Sequence, residues 1–466
     1  MKKILLIQPP FAGESIGSLI KYAPMGLIAV AAYLRAQIKD LEIKIYDANV
    51  EEDSSLKNIV NYILADQPQI LGLTGMTTNI NAALEIATAI KANKPEIIIV
   101  VGGIHCTVLP SEVLAHPAVD FIVIGEGEIT AAELVKNIDQ PQNFKNIAGL
   151  GYKENGQIFI NRRRELIQNI DELPIPAYDL LKIDKYHSAY AQKKPFISML
   201  RSRGCPYRCI FCGVQNMFGR IFRVQSPERT IKEIDYLREK FQIKEIGFKD
   251  SEFTINLPNL IKFCDLLIEK KYELVWSCNA RVDRTDVELY KKMAAAGCHT
   301  VSFGIESGDQ NILEVMKKDI NLEQARQAVK AAQKAGIKAS AGFIIGTPQE
   351  TKETIEKTIE FAKKINPDYV AFSFATPFPG TELRALAEKN NWLLTSDFNA
   401  VTYTDLIMNA TDLPNEELKK YMKKAYRSFY FRPRYILKRL TKLNKTEIKN
   451  SFNGLIALLK NYILKK

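Results

Sequence analysis

The sequence predicts an α/β chain in two successive units, a doubly wound parallel sheet over residues 1–140 and a partial (β/α)6 barrel over 195–380. A linker with a short hairpin, 141–194, joins them, and a basic, mostly helical region fills 381–466. Three observations carry this reading. Short continuous apolar runs alternate with helix-forming stretches, the pattern of a parallel sheet covered on both faces. The alternation stops at a proline-marked segment and then begins again. Basic charge is concentrated at the C-terminal end.

In the first unit the strands fall at 4–7, 41–46, 70–74, 97–101 and 121–124, with helices at 24–37, 55–64 and 79–91. The fourth strand is closed by Gly102 and Gly103. Ligands on such sheets bind beyond the carboxyl ends of the strands. Asn155-Gly156 reads as a hairpin turn between short strands. Pro174 and Pro176 then mark an ordered linker. In the second unit the strands fall at 196–201, 245–250, 274–280, 299–305, 338–345 and 369–374. Helices fill the gaps. One opens at Pro227, whose missing N–H would have no partner in a first helical turn anyway. The working face of such a barrel is again the carboxyl end of its strands.

A chain of 466 residues exceeds one ordinary core. With 46% hydrophobic and 25% charged residues it has the composition of a globular protein. The apolar start, Ile4 to Ile7, is too short for a secretory signal and stops at Pro9-Pro10. No uninterrupted apolar run is long enough for a membrane span. Seven cysteines without a paired framework fit a reducing cytosol, so a cytoplasmic location is expected. Cys106, Cys264, Cys278 and Cys298 read as small buried residues. The net charge of +11 is local: residues 419–466 carry fifteen Lys and Arg against one acid, Glu447. The remainder holds 49 basic and 52 acidic residues, so the basicity describes the tail and not the body.

The chemistry centres on Cys205, Cys209 and Cys212, a C-x3-C-x2-C run directly after the first barrel strand. Structural zinc wants four closed ligands, usually in paired knuckles, and no second pair completes this set. A thiolate triplet this tight suits an iron–sulfur cluster. Three ligands on a four-iron cube leave one iron open. With Phe211 before the third cysteine, the run resembles the radical S-adenosylmethionine (SAM) superfamily. The resemblance implies a [4Fe-4S] cluster whose open iron chelates SAM and whose electron cleaves it to a 5′-deoxyadenosyl radical. Other strand ends are similar to the same family. Glu306, in Gly304-Ile305-Glu306-Ser307, matches its ribose contact. The run Phe248 to Phe253 looks like a D-x-x-F-T variant, offering Asp250 or Ser251 to the SAM amino group. Asn279 and Arg281 match contacts to the SAM carboxylate, and Gly346, closing a G-x-I-x-G stretch, would admit the adenine.

The first unit carries a second resemblance. Asp47, Thr74 within LTGMTTN, and Gly102-Gly103 within VGGIHCTVLP match the three loops that flavodoxin-like cobalamin-binding domains place around the nucleotide tail. Gly125-Glu126-Gly127-Glu128, Pro9-Pro10 and Pro24-x-Gly26-Leu27 complete a pattern similar to cobalamin-dependent radical SAM proteins. The resemblance covers about residues 1–380. One departure matters: the D-x-H-x-x-G of cobalt-ligating domains is here Asp47-Ala48-Asn49. Cobalamin would therefore sit base-off with no histidine ligand, and His105 is read as a contact to its tail or to a loop. Radical SAM methylthiotransferases carry three further N-terminal cysteines, whereas this region has only Cys106, which excludes them.

The resemblance implies hydrogen abstraction from an unactivated carbon followed by methyl transfer from methylcobalamin, with a second SAM restoring the methyl group. Cyclisation or oxidation without net methyl transfer stands as an alternative. So does a first unit that binds substrate or a partner in place of cobalamin. The partners expected are a small-molecule substrate, for which a lipid or other apolar compound is mildly favoured and a tetrapyrrole or peptide natural product fits as well, and an electron donor such as flavodoxin or ferredoxin. Nucleic acid is not expected, because no reader module accompanies the basic residues. In the tail, Leu440, Leu443, Ile448, Phe452, Leu455 and Ile456 recur near helical spacing among lysines. Such a helix packs on the barrel's open side, or rests peripherally on the inner face of an anionic membrane.

Overall fold

The chain enters through β1 (Lys2–Gln8), α1 (Met25–Gln37), β2 (Leu41–Asp47), α2 (Leu56–Asp66), β3 (Ile70–Thr74) and α3 (Ile80–Asn93). There follow β4 (Ile98–Gly102), α4 (Ile104–Val108), α5 (Pro110–Ala115), β5 (Phe121–Val123) and α6 (Gly127–Lys136). This computed structural model describes residues 2–11, 20–284, 286–398 and 405–440. The five strands are parallel in the order β2-β1-β3-β4-β5, a doubly wound sheet. Alternate residues of β1 explain the two layers. Ile4 and Leu6 pack under α1 and α6 with Leu27, Ala31 and Ala132. Leu5 and Ile7 face α2 and α3 with Ile59, Ile63 and Ile86.

The hairpin β6 (Leu150–Glu154) and β7 (Gln157–Ile160) turns at Asn155-Gly156, where both residues take positive φ as a two-residue turn of this hand requires. It does not stand in a separate linker. It joins β5 antiparallel and extends the first sheet to seven strands, past the boundary expected at 140. The reason is apolar: Leu150 and Tyr152 bury against Phe144 and Phe121.

The second unit opens with β8 (Phe196–Met199), β9 (Ser202–Arg203), α7 (Val214–Phe218), β10 (Arg223–Val224) and α8 (Pro227–Phe241). It continues through β11 (Glu245–Phe248), α9 (Leu257–Lys270), β12 (Val275–Ala280), α10 (Val287–Ala295) and β13 (Cys298–Glu306). Last come α11 (Gln310–Val315), α12 (Leu322–Lys334), β14 (Lys338–Ile345), α13 (Lys352–Ile365) and β15 (Tyr369–Phe374). Six parallel strands stand in the order β8-β11-β12-β13-β14-β15, an open barrel as the sequence predicts. Outward residues such as Trp276, Phe303, Phe343 and Phe372 are buried under the helices. Inward residues at neighbouring registers, Asn279, Ser302, Gly342 and Ser373, are partly accessible, so the lumen is open to solvent.

The chain ends in α14 (Glu382–Lys389), α15 (Asn415–Tyr430) and α16 (Pro433–Leu440). The face of α15 carrying Leu418, Met422, Ala425 and Phe429 packs into the barrel core. The Tyr426 hydroxyl accepts from Phe372 N at 3.0 Å and donates to Phe372 O at 2.8 Å. Tyr430 repeats this at Val370, at 3.0 and 2.6 Å. Two phenols thus satisfy the outer edge of β15, where a closed barrel would have another strand. Most of the apolar spacing read as a membrane or packing face, from Leu443 onward, lies outside the described residues. Among those described, no helix is long and apolar enough to cross a membrane.

Candidate active site between the two units

The cysteine loop leaves β9 through Gly204 at φ +84°, where a Cβ would stand 2.2 Å from Ile221 O. Only glycine fits that turn. Beneath the loop, the Arg281 guanidinium lies 3.5 Å from the Tyr207 ring centroid. Its nitrogens donate to Asp283 Oδ1 at 3.0 Å and to the carbonyls of Lys318 and Asp319 at 2.7 and 3.0 Å. Ile210 N donates to Met316 O at 3.1 Å, and Ile210 O accepts from Leu383 N at 2.9 Å. Phe211 packs against the apolar cluster of Leu383, Ala387 and Met408. The loop is held from both sides.

Burial raises the pKa of all three loop thiols, Cys212 to about 11. They become ligands only when a metal displaces the proton. Among the described residues no trio of His, Cys, Asp or Glu converges on a single metal ion. Three thiols in one loop without a fourth ligand fit a multi-iron cluster, whose cysteines bind separate irons. Cys209 also has two cations beside it, Lys318 and Arg281, which pull its pKa down against the effect of burial.

Glu306 ends β13 at φ +73°, beyond a shift in register after Gly304. Its Oε1 pairs with Lys318 Nζ at 2.8 Å in a buried site. Asp250 is fully buried and turned toward the β8–β9 junction, where it accepts from Arg201 N at 3.2 Å and from the Ser202 hydroxyl. Loss of water lifts its pKa to about 6. Ser251 beside it is exposed. Asn279 Nδ2 donates to Asp250 O at 3.2 Å. Gly346 takes φ +86°, donates its N–H to Glu350 Oε2 at 2.6 Å, and faces open space.

In the first unit a cleft of about 170 Å³ runs from the strand ends down between the sheet, α1 and α6. Thr74, Gly102 and Gly103 line it, as do Leu6, Gly72 and Val100 deeper in. Gly72 has no room for a side chain, since a Cβ would meet Leu6 Cδ2 at 2.5 Å. Leu200, Arg203, Met217 and Phe218 of the second unit complete the wall, so the cleft opens beside the cysteine loop. A narrow apolar slot of this kind fits a flat aromatic group, as the nucleotide tail of cobalamin would supply.

Two residues expected at this cofactor do not line the cleft. Asp47 is at the end of β2, but its carboxylate accepts from Asn49 and from the Tyr186 hydroxyl at 3.1 Å. It ties the linker to the sheet. His105 is fully buried outside the cleft, with Nδ1 3.2 Å from Thr77 Oγ1 and its ring edge-on to Phe398. The α4 turn, pinned by His105 N on Gly75 O, directs its ring into the α3 side of the sheet.

Residues 199–362 match the radical SAM superfamily, and residues 19–135 match the B12 binding domain. An uncharacterized methyltransferase of Pyrococcus horikoshii is 39% identical over 98% of either chain. The anaerobic magnesium-protoporphyrin IX monomethyl ester cyclase of Rubrivivax gelatinosus is 29% identical over 98% of this chain and 82% of its own. The solved structure of the cobalamin-dependent SAM radical enzyme OxsB has the same fold at a TM-score of 0.76 and 20% identity, spanning 100% of this chain and 72% of that one. The chain belongs to the cobalamin-dependent radical SAM enzymes. Its cofactors are a [4Fe-4S] cluster, SAM and cobalamin.

For this radical SAM enzyme the structure adds residues that the sequence did not single out. Lys318 lies twelve residues after its partner Glu306, and nothing in its surroundings marks it. Arg203 and Arg223 join Glu126 and Glu128 in one buried network: Arg203 Nη1 to Glu126 Oε1 at 2.8 Å, Arg203 Nη2 to Glu128, and Arg223 Nη1 to Glu126 Oε2 at 2.8 Å. The Gly-Glu-Gly-Glu run was a usable signal. Paired acids at a strand end, in a unit with few other motifs, call for cations from somewhere.

Proposed function

We propose that this enzyme transfers a methyl group to an unactivated carbon of a small molecule held between the cleft and the cysteine loop. Cobalamin in this reading is base-off and has no histidine ligand. The observation that carries it is Asn49, partly accessible and bonded to Asp47, at the position where cobalt-ligating domains carry histidine. Bound together, the three cofactors supply reductive SAM cleavage, hydrogen abstraction and a transferable methyl group. Cys205, Cys209 and Cys212 would hold the cluster, with Tyr207 on Arg281 fixing the loop from below. The Glu306–Lys318 pair holds a carboxylate oriented at the strand end where the SAM ribose is expected. Ser251, exposed beside the buried Asp250, is the better placed of the two for the SAM amino group. Asn279 and Gly346 are taken as SAM contacts through side chain and backbone. Thr74, Gly102 and Gly103 leave room for the corrinoid tail, while Leu200 and Phe218 keep water from the junction. A one-electron donor of the flavodoxin or ferredoxin kind would serve the cluster.

Electron paramagnetic resonance of anaerobically reconstituted, cobalamin-loaded protein tests the reading. A cob(II)alamin signal with cobalt hyperfine lines and no nitrogen splitting is expected. Nitrogen splitting would assign a histidine or base ligand and defeat the base-off reading. Since a relative named as a cyclase is 29% identical, cyclisation is the rival outcome. SAM with a deuterated methyl group separates the two, because only methyl transfer puts that label in product.

A further inference from the structure

The barrel lumen holds one cation that the reading above leaves unused. Lys249 follows β11, on the inward face set by Gly247 pairing with Ser198 and Ser277. Its side chain folds down into the lumen: Cε lies 3.4 Å from where a Cβ on Gly247 would stand, and Nζ sits 3.8 Å from the Tyr22 ring centroid. Tyr22 enters from the first unit, anchored by Ala23 N on Ser198 Oγ at 2.9 Å, with its ring 6.3 Å from that of Phe196 at the start of β8. The ammonium is therefore below the strand ends that carry the cysteine loop.

Among the described residues the carboxylates around it are all engaged. Glu245 at the floor accepts from Gln192 N and Lys193 N at 2.6 and 2.7 Å and contacts His299 Nε2 at 3.1 Å. Asp250 is bonded to Arg201 N and Ser202 on the other side of the strand, and Glu306 pairs with Lys318. Among the described residues Lys249 has an aromatic face as its seat and no carboxylate. An ammonium on a ring face is held weakly beside what an anion would give it. Ser302, inward on β13 and partly accessible, presents a hydroxyl to the same lumen.

We propose that Lys249 anchors an anionic group of the substrate, a carboxylate, phosphonate or phosphate, on the lumen floor, so that the reacting carbon projects up toward the cysteine loop. This replaces an apolar or lipid substrate with an organic anion. It rests on the reading of a substrate held beside the cysteine loop, whose anionic end reaches down into the lumen, and not on methyl transfer as the outcome.

The test is equilibrium binding of methylphosphonate to the cluster-reconstituted protein, read by 31P relaxation from the reduced paramagnetic cluster. Wild type should relax the probe. Lys249→Met should bind it on the order of tenfold more weakly, and Lys249→Arg should restore binding. Iron content and SAM affinity, measured on the same samples, should not change. Lys249→Gln serves as a second neutral variant if Lys249→Met loses iron. Equal relaxation in wild type and the neutral variants, or no binding by wild type, overturns the proposal. So does weakened SAM affinity with methylphosphonate unaffected, which would give the lysine to the SAM carboxylate. None of these readings depends on cobalt ligation or methyl transfer, so failure here is distinct from failure of the proposed reaction.

Discussion

Burial decides the charge of His105. Its ring is fully buried, with one contact to Thr77 Oγ1 and the edge of Phe398, while Nε2 has no partner among the described residues. Desolvation brings its pKa from 6.5 to about 4. The folded value lies below the unfolded one, so folding favours the neutral ring. The stabilisation is complete above pH ~6.5, falls as the unfolded chain takes up a proton, and is gone below pH ~4. The interval corresponds to about 3 kcal/mol. Urea unfolding of His105→Gln should show a clearly flatter pH dependence between ~4 and ~6.5 than wild type. An unchanged slope would mean that the ring is hydrated after all.

At the scale of elements, the open barrel has an edge to protect. Tyr426 and Tyr430 cover it by giving β15 both a donor and an acceptor at Phe372 and Val370. Removing one hydroxyl frees two backbone groups, at about 1 kcal/mol for each lost bond. Tyr430→Phe should speed hydrogen exchange of the Val370 amide and leave that of Phe372 nearly unchanged, with Tyr426→Phe giving the reverse. Loss of protection along the whole strand in either variant would show that the helix docks as one unit. This edge was not legible in the sequence, because the contacts span 54 and 60 residues and phenols have no periodic signature. The six barrel strands were legible, since their outward residues form apolar runs and glycines or acids close them. The cysteine loop was legible from spacing alone. Arg281 was found but its setting was not: its fork is engaged with Asp283 and two carbonyls, geometry that only the folded loop at 318–319 creates. The hairpin turn was readable at Asn155-Gly156. Its membership of the first sheet was not, because β7 is exposed throughout and its pairing depends on Phe159 stacking on Tyr152, itself held in the edge-to-face chain Phe121–Phe144–Tyr152.

Across the whole molecule, the two units meet beside the cysteine loop, and an ion network spans that junction. Glu126 begins α6 in the first unit, while Arg203 and Arg223 belong to the paired strands β9 and β10 that bracket the cysteine loop. Burial works against a charged Glu126, yet the two arginines and the Ile167 N–H hold its pKa below the ordinary value. Its contribution is thus present at neutral pH and lost as pH falls through the carboxylate range. Replacing Glu126 by Gln leaves Arg223 buried without its carboxylate, a change that costs about 3–5 kcal/mol. Arg203 immediately precedes Gly204-Cys205, so the loss should reach the cluster as well as the fold. Glu126→Gln is expected to lower thermal stability and to reduce the iron retained after reconstitution. Glu133→Gln, which breaks the more exposed pair with Arg164, should cost no more than about 1 kcal/mol and leave iron content intact. Equal effects from the two substitutions would show that general charge on α6 matters and not this junction. Lower stability with full iron retention would instead confine Glu126 to domain docking and separate it from the cysteine loop.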